Sequence, residues 1–213
     1  MEFGNFYFSL CSLLVLNSCS INSARIDPKE VSAFNGQYAN KNTDDEKKRV
    51  LAIANGNYKD VIRGLSSPLE AALYCTEVLK YDKDINVYGV GSYFGSFKKI
   101  HENKRDDCDG GALAAAAILS DDGFPPYMLI IKGDLKSQVK AHVVFLYKDK
   151  NGKYGSIGIN RLDVNPSIFD SVDSLANKLA MHAGFDLNCY EIYDLSKVYS
   201  DFIDNDKDND PEN

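Results

Sequence analysis

The order of hydrophobic and polar positions divides the chain into four stretches. Phe6 to Leu16 is an apolar run broken only by Ser9 and Ser12. Residues 20–48 are polar, rich in Ser, Asn, Asp and Lys, and from about 49 to 200 apolar positions recur at helical and strand periods. The last residues, 201–213, are again polar and mostly acidic. Within the third stretch, Ser67-Pro68-Leu69-Glu70 has the form of a helix start: a hydroxyl cap, proline in the first turn, and a carboxylate three residues after the cap. The apolar face that follows runs to about Lys80. A Gly- and Tyr-rich loop, 88–97, leads to a short charged helix over Phe97–Asn103. The segment Cys108–Leu119 is small-residue rich and apolar nearly all round, as a buried central helix must be. Gly123 ends it and Pro125-Pro126 force an extended exit. Strands are predicted over Tyr127–Lys132, His142–Lys148 and Lys153–Asn160, with a tight turn at Asn151-Gly152. Ser171 caps a final amphipathic helix closed by Gly184, and a last strand lies around Tyr190–Tyr193. Helices first and an antiparallel sheet after them make an α+β domain, with the central helix packed on the sheet.

Charge and cysteine usage narrow the function classes. The formal net charge of −7 is concentrated in Asp201, Asp204, Asp206, Asp208, Asp210 and Glu212, offset there only by Lys207, so the domain itself is close to neutral. No basic stripe, RNA-binding motif or zinc finger is present, which argues against nucleic acid as a partner. The tail imitates the start of a calcium loop at Asp204, Asp206 and Asp208 but lacks the glycine and the closing glutamate, and reads as a solvated, disordered end. The five cysteines, Cys11, Cys19, Cys75, Cys108 and Cys189, contain no CxxC pair, so no metal and no cofactor are expected.

The apolar start has the length of a signal-peptide core and is too short to span a bilayer. It is followed by Leu16-Asn17-Ser18-Cys19, which resembles the lipobox of bacterial lipoproteins, where cleavage precedes a cysteine that then carries lipid. Residues 1–18 are thus expected to be a signal, with Cys19 lipidated, 19–48 a polar tether, 49–200 the folded domain and 201–213 the tail. The protein is then exported to the cell envelope and held to the membrane by its N-terminal lipid.

Cysteine chemistry needs a thiolate, and a helix start or a neighbouring imidazolium favours one. Cys108 falls in the first turn of the buried helix, where free backbone N–H groups also suit an oxyanion. Gly110 and Gly111 follow at once; as poor helix formers, they are best explained by the space they leave. Of the three histidines, His101 lies on the short charged helix and His182 at a helix end, whereas His142 opens the core strand His142-Val143-Val144-Phe145-Leu146-Tyr147. A lone cysteine in an alanine-rich helix is commonly a small buried hydrophobe. The combination with a double glycine and a strand-leading histidine makes Cys108 the candidate nucleophile and His142 its base.

Cys108 at a helix start, then Gly123-Phe124-Pro125-Pro126-Tyr127, then Ala141-His142-Val143 on a strand, resembles the core of the transglutaminase-like cysteine proteins over roughly residues 65–195. The Gly-Ala-Leu-Ala helix, the double proline and Tyr154-Gly155-Ser156-Ile157-Gly158 bring it closest to a bacterial branch of that superfamily. The Cys108–His142 spacing of 34 residues (142 − 108) is comfortable for it. The resemblance implies a papain/transglutaminase-like core and a Cys-His-Asp triad acting on an amide or peptide bond through a Cys108 thioester. Its substrate would be a peptide or protein, with cell-wall peptide a natural choice for an exported protein.

The third triad member departs from the family pattern, since no aspartate stands on the strand after His142; Gly158, Asn160 and Asp163 are what stand nearby. Asn160 is the candidate orienter, and strand register decides it. With Lys150-Asn151-Gly152 as a three-residue loop, Asp149 faces Lys153 and His142 faces Asn160; a two-residue loop would bring Arg161 opposite His142 instead. Asp163 falls beyond the expected end of the strand. Two other classes compete: a binding module that keeps the fold without the chemistry, and a cell-wall amidase of the NlpC type, echoed in Asp107-Cys108.

Overall fold

The computed structural model describes residues 42–197, apart from 92, 136 and 137, together with 202 and 203. The chain begins in helices. α1 spans Asn42–Ala54, and α2, Tyr58–Gly64, is opened by an Asn57–Asp60 capping box. α3, Pro68–Leu73, starts at the Ser67–Glu70 capping box anticipated from sequence. Glu70 is almost wholly buried, accepting from the backbone N–H groups of Ser66 and Ser67 and pairing with Arg49. The helix does not continue regularly to Lys80: Tyr74–Val78 forms a wider π turn. The two-residue strands β1 (Lys80–Tyr81) and β2 (Arg105–Asp106) pair in parallel, enclosing the short helices α4 (Asp84–Val87) and α5 (Phe97–Asn103). α6 is Cys108–Leu119, with Asp107 as N-cap and Gly123 at φ +86° beyond its end.

The second half is the sheet. β3 (Tyr127–Leu135), β4 (Gln138–Lys148), β5 (Tyr154–Ile157), β6 (Asn165–Phe169) and β7 (Asp186–Asp194) form five antiparallel strands in the order β6-β5-β4-β3-β7. α7, Val172–Ala183, lies between β6 and β7, capped by Ser171 and closed by Gly184 at φ +79°. The α+β class, the antiparallel sheet and the buried helix agree with the sequence reading. β6 was not foreseen, because Asn165-Pro166 discourages a strand; as an edge strand it tolerates proline.

Side-chain alternation sorts the sheet into two cores. Met128, Val143, Phe145, Tyr147 and Ile157 join the larger cluster with α1, α2, α3, α5 and the whole buried length of α6. Leu129, Ile131, Val144 and Leu146 join the smaller one with Leu175, Ala176, Leu179 and Ala180 of α7. Both of the expected domain edges move outward. The boundary at 48/49 falls inside α1, whose Val50 and Ala54 are core residues and whose Lys47 pairs with Glu77. At the other end Phe202 and Ile203 pack on the larger cluster, Phe202 edge-on to Phe94 at 4.7 Å. The export segment, Cys19 and the rest of the tail lie outside the described residues. Among the described residues no helix is long and apolar enough to cross a membrane.

Candidate active site

Cys108 is the first residue of α6 and is only partly buried. The Asp107 carboxylate caps the helix by accepting from the Asp109 N–H at 3.2 Å. The two glycines that follow are required by close approaches. A Cβ on Gly110 would lie 2.2 Å from Cγ of Asp106, and one on Gly111 would lie 2.8 Å from the backbone nitrogen of Ile159. Behind them, the Cys75 thiol donates to the Gly111 carbonyl at 3.5 Å. The helix start is thereby wedged between β2 and the chain leaving β5.

That chain explains the rest of the site. β4 and β5 pair from Lys148 opposite Tyr154 to Phe145 opposite Ile157, the register of the three-residue loop, with Gly152 at φ +83°. The pairing then stops. Had it run on, His142 would face Asn160; instead the chain departs at Gly158 and forms a 3₁₀ turn over Arg161–Asp163. The edge of β4 beyond Phe145 is left open toward β5, and there the backbone of Val143 comes close enough to the Cys108 sulfur to favour its ionised form. Cys108 therefore sits against the residue that follows His142. By alternation His142 shares its side of β4 with Val144 and Leu146, the side opposite to α6, and its imidazole reaches Asp163 where β5 has left the strand edge.

Asp163, not Asn160, is the partner of the imidazole. His142 Nε2 donates to Asp163 Oδ1 at 2.7 Å, with the two side chains 13% and 7% exposed. Asn160 instead serves the turn through its backbone: its N–H donates to Asp163 Oδ2 at 3.4 Å, and its carbonyl accepts from the Asp163 N–H at 3.0 Å. The expected Asn160 role fails because the strand that would carry it across from His142 ends three residues early. The turn is well braced. Buried Ser156 donates to the Asp163 carbonyl at 2.7 Å and accepts from Asn165 Nδ2 at 2.9 Å. His182, from the end of α7, donates through Nδ1 to the Leu162 carbonyl at 3.0 Å. Gly158 makes room, since a Cβ there would lie 2.6 Å from Cβ of Asp163.

Two signals in the sequence mark this aspartate: Asn160-Arg161-Leu162-Asp163 has the spacing of a helical capping motif, and Gly158 precedes it where a strand would not favour glycine. The bond also assigns the tautomer. With Nε2 donating to a carboxylate, neutral His142 has its lone pair on Nδ1.

Electrostatics do not produce a ready thiolate. Burial raises the Cys108 thiol well above the usual cysteine range; Asp107 and Asp109 raise it further, the Val143 backbone opposes them, and Asp163 adds to the rise. Desolvation and the neighbouring carboxylates thus work against the partial ionisation expected of Cys108 at a helix start. Cys75 is also pushed up, to about 12, by complete burial. Tyr81 is an unanticipated neighbour: 45% exposed, its hydroxyl is raised by partial burial and then by Cys108. His101 is a structural residue, 5% exposed, between the Tyr74 hydroxyl at 2.8 Å and the Gly56 carbonyl at 2.9 Å. Cys75 and Cys108 are free thiols.

No protein-family model and no curated protein sequence matches the chain.

Proposed function

We propose that this protein is a thiol acyl-transfer enzyme of the transglutaminase-like kind, in which Cys108, His142 and Asp163 form a triad on a papain/transglutaminase-like core. The observation that carries the reading is the His142–Asp163 bond of 2.7 Å beside the β4 edge where Cys108 sits. It supplies the carboxylate that the sequence lacked in its expected place, and it holds the imidazole with a basic Nδ1. Because the resting thiol is held protonated, His142 acts as general base during attack rather than as partner in a preformed ion pair. The Cys108 proton passes to Nδ1 as Sγ bonds to the amide carbonyl carbon. Collapse breaks the C–N bond, the leaving amine takes the proton from His142, and a thioester remains. Water or a second amine, deprotonated by the same imidazole, then attacks the thioester and frees the thiol. Asp163 keeps the ring oriented and stabilises its charged form.

Substrates are peptides or proteins, with cell-wall peptide suited to a protein exported and tethered through lipidated Cys19. Mass spectrometry of the N-terminus from native membranes checks that location; an intact Met1 would exclude it.

Brief iodoacetamide labelling near neutral pH, followed by peptide mapping, tests the nucleophile. Although its resting thiol is raised, Cys108 is expected to label faster than Cys75 or Cys189 because His142 takes its proton during attack, and to lose that lead in His142→Ala. The raised Cys108 thiol favours one other reading, a binding module that keeps the fold without turnover. Equal labelling of all three cysteines, or none at Cys108, would leave that module standing.

A further inference from the structure

The approach to α6 is crowded with carboxylates that the triad does not use. Asp84 opens α4, Asp106 ends β2, and Asp107 caps α6; one ligand oxygen from each lies within 4.8 Å of the others. Asp84 is 3% exposed and Asp106 1%. Most of their oxygens are occupied. Asp106 Oδ2 accepts from the Tyr88 hydroxyl at 2.6 Å and Oδ1 from the Asp107 N–H at 2.8 Å, while Asp84 Oδ2 accepts from the Tyr93 N–H at 2.6 Å. Asp84 Oδ1 is different: it is fully buried and has no hydrogen-bond partner. Among the described residues no lysine or arginine pairs with any of the three, and Arg105, next to Asp106, turns to Asp82 at 3.6 Å.

Carboxylates this close repel one another until one takes up a proton or a cation lies between them, and only a cation also engages the unsatisfied Asp84 oxygen together with Asp106 and Asp107. Hard oxygen donors select a hard cation. At calcium–oxygen distances of about 2.3–2.6 Å, two ligands on opposite sides of one ion stand roughly 5 Å apart, which matches the spacing here. We propose that Asp84, Asp106 and Asp107 bind a divalent cation of calcium's size, with Asp84 Oδ1 as a ligand, and that the ion ties α4 and β2 to the start of α6. Gly110 belongs to the same construction, because only a residue without Cβ leaves the Asp106 carboxyl its place.

Terbium is the probe, with the full chain and excitation in the tyrosine band. The chain has 13 tyrosines and no tryptophan, and Tyr88 touches Asp106 directly. Saturable terbium emission displaced by Ca²⁺ is expected. Asp84→Asn and Asp107→Asn each keep an oxygen for the N–H they cap, and each should weaken Ca²⁺ competition at least roughly tenfold. Changing Asp204, Asp206 and Asp208 together to asparagine in the tail should leave the displaceable emission in place. The unaltered chain should also melt at a higher temperature in Ca²⁺ than in EDTA, a readout that stands even if a variant fails to fold. No displaceable emission, equal competition by Asp84→Asn, loss only in the tail variant, or no Ca²⁺-dependent rise in melting temperature would each overturn the site. Cys108→Ser should bind as the unaltered chain does, so the cation site and the triad fail separately.

Discussion

On one side of the sheet, α7 closes over Leu129, Ile131, Val144 and Leu146 with aliphatic residues at helical spacing. On the other, a much larger apolar cluster surrounds α6, yet its rim holds Asp84, Asp106, Asp109, Asp163 and His101, each 5% exposed or less. The α7 side needs only volume and periodicity to be stable. The α6 side carries buried ionisable groups whose desolvation opposes folding and which must be matched to particular partners. Burial first, with repulsion from neighbouring carboxylates added and hydrogen bonds opposing, pushes Asp106 up to about 7 and Asp84 to about 6. Polar groups kept inside at such a cost mark where function is to be sought. Substitutions on the two sides should therefore separate chemistry from stability.

The largest separation is expected from His142→Ala. Acyl transfer from an activated ester to Cys108 should fall by about 10²–10⁴ per folded molecule, the usual contribution of a positioned base, with a smaller loss of stability from leaving buried Asp163 without its partner. The residual rate has a defined pH dependence. The Cys108 thiol is raised, so its thiolate is scarcer at neutral pH than an ordinary cysteine's, and the residual rate should still be climbing above the common thiol pKa of about 8.5. A plateau at neutral pH would contradict this.

Leu175→Ala reverses the pattern. Leu175, on the sheet-facing side of α7, is fully buried, and its truncation should cost about 2–5 kcal/mol in denaturant melts, with the ester rate per folded molecule unchanged. Gly158→Ala crosses between the two. Its Cβ would meet the Asp163 side chain at 2.6 Å and push the carboxylate off His142. The ester rate should drop by up to about 10²-fold, as misplacement of a catalytic group by roughly an ångström does. Asn160→Ala should have the smallest effect, within about twofold in rate and about 0.5 kcal/mol in stability, because Asn160 serves the Asp163 turn through its backbone N–H and carbonyl. A large rate loss in Asn160→Ala with Asp163→Ala inert would exchange the roles of the two residues.

The parts of the fold legible from sequence are those written in neighbouring residues. The α6 bounds, the Ser67–Glu70 box, the stop at Gly123, the turn at Gly152 and the caps of α7 depend on contacts a few positions apart, and each stands where its pattern indicates. The first part of α1, before residue 49, reads as tether because its first two turns are charged and the apolar stripe that follows is short, Val50, Ile53 and Ala54 finding their cover on helices that come later in the chain.

The sequence by itself thus determined the class of the domain, the helix start that bears Cys108, the strand that bears His142 and even the register of the β4–β5 hairpin. Only the tertiary structure decided where that hairpin ends. Register is set by local turn geometry, but the exit of the chain at Gly158 is set by packing of Ile159 on Gly111, 48 residues away in the chain (159 − 111). That exit brings Asp163 to His142 and leaves Asn160 with a backbone role. The same holds for Asp84, which no spacing motif links to Asp106 and Asp107, and which joins them because β1 and β2 pair in parallel and fold α4 back onto the start of α6.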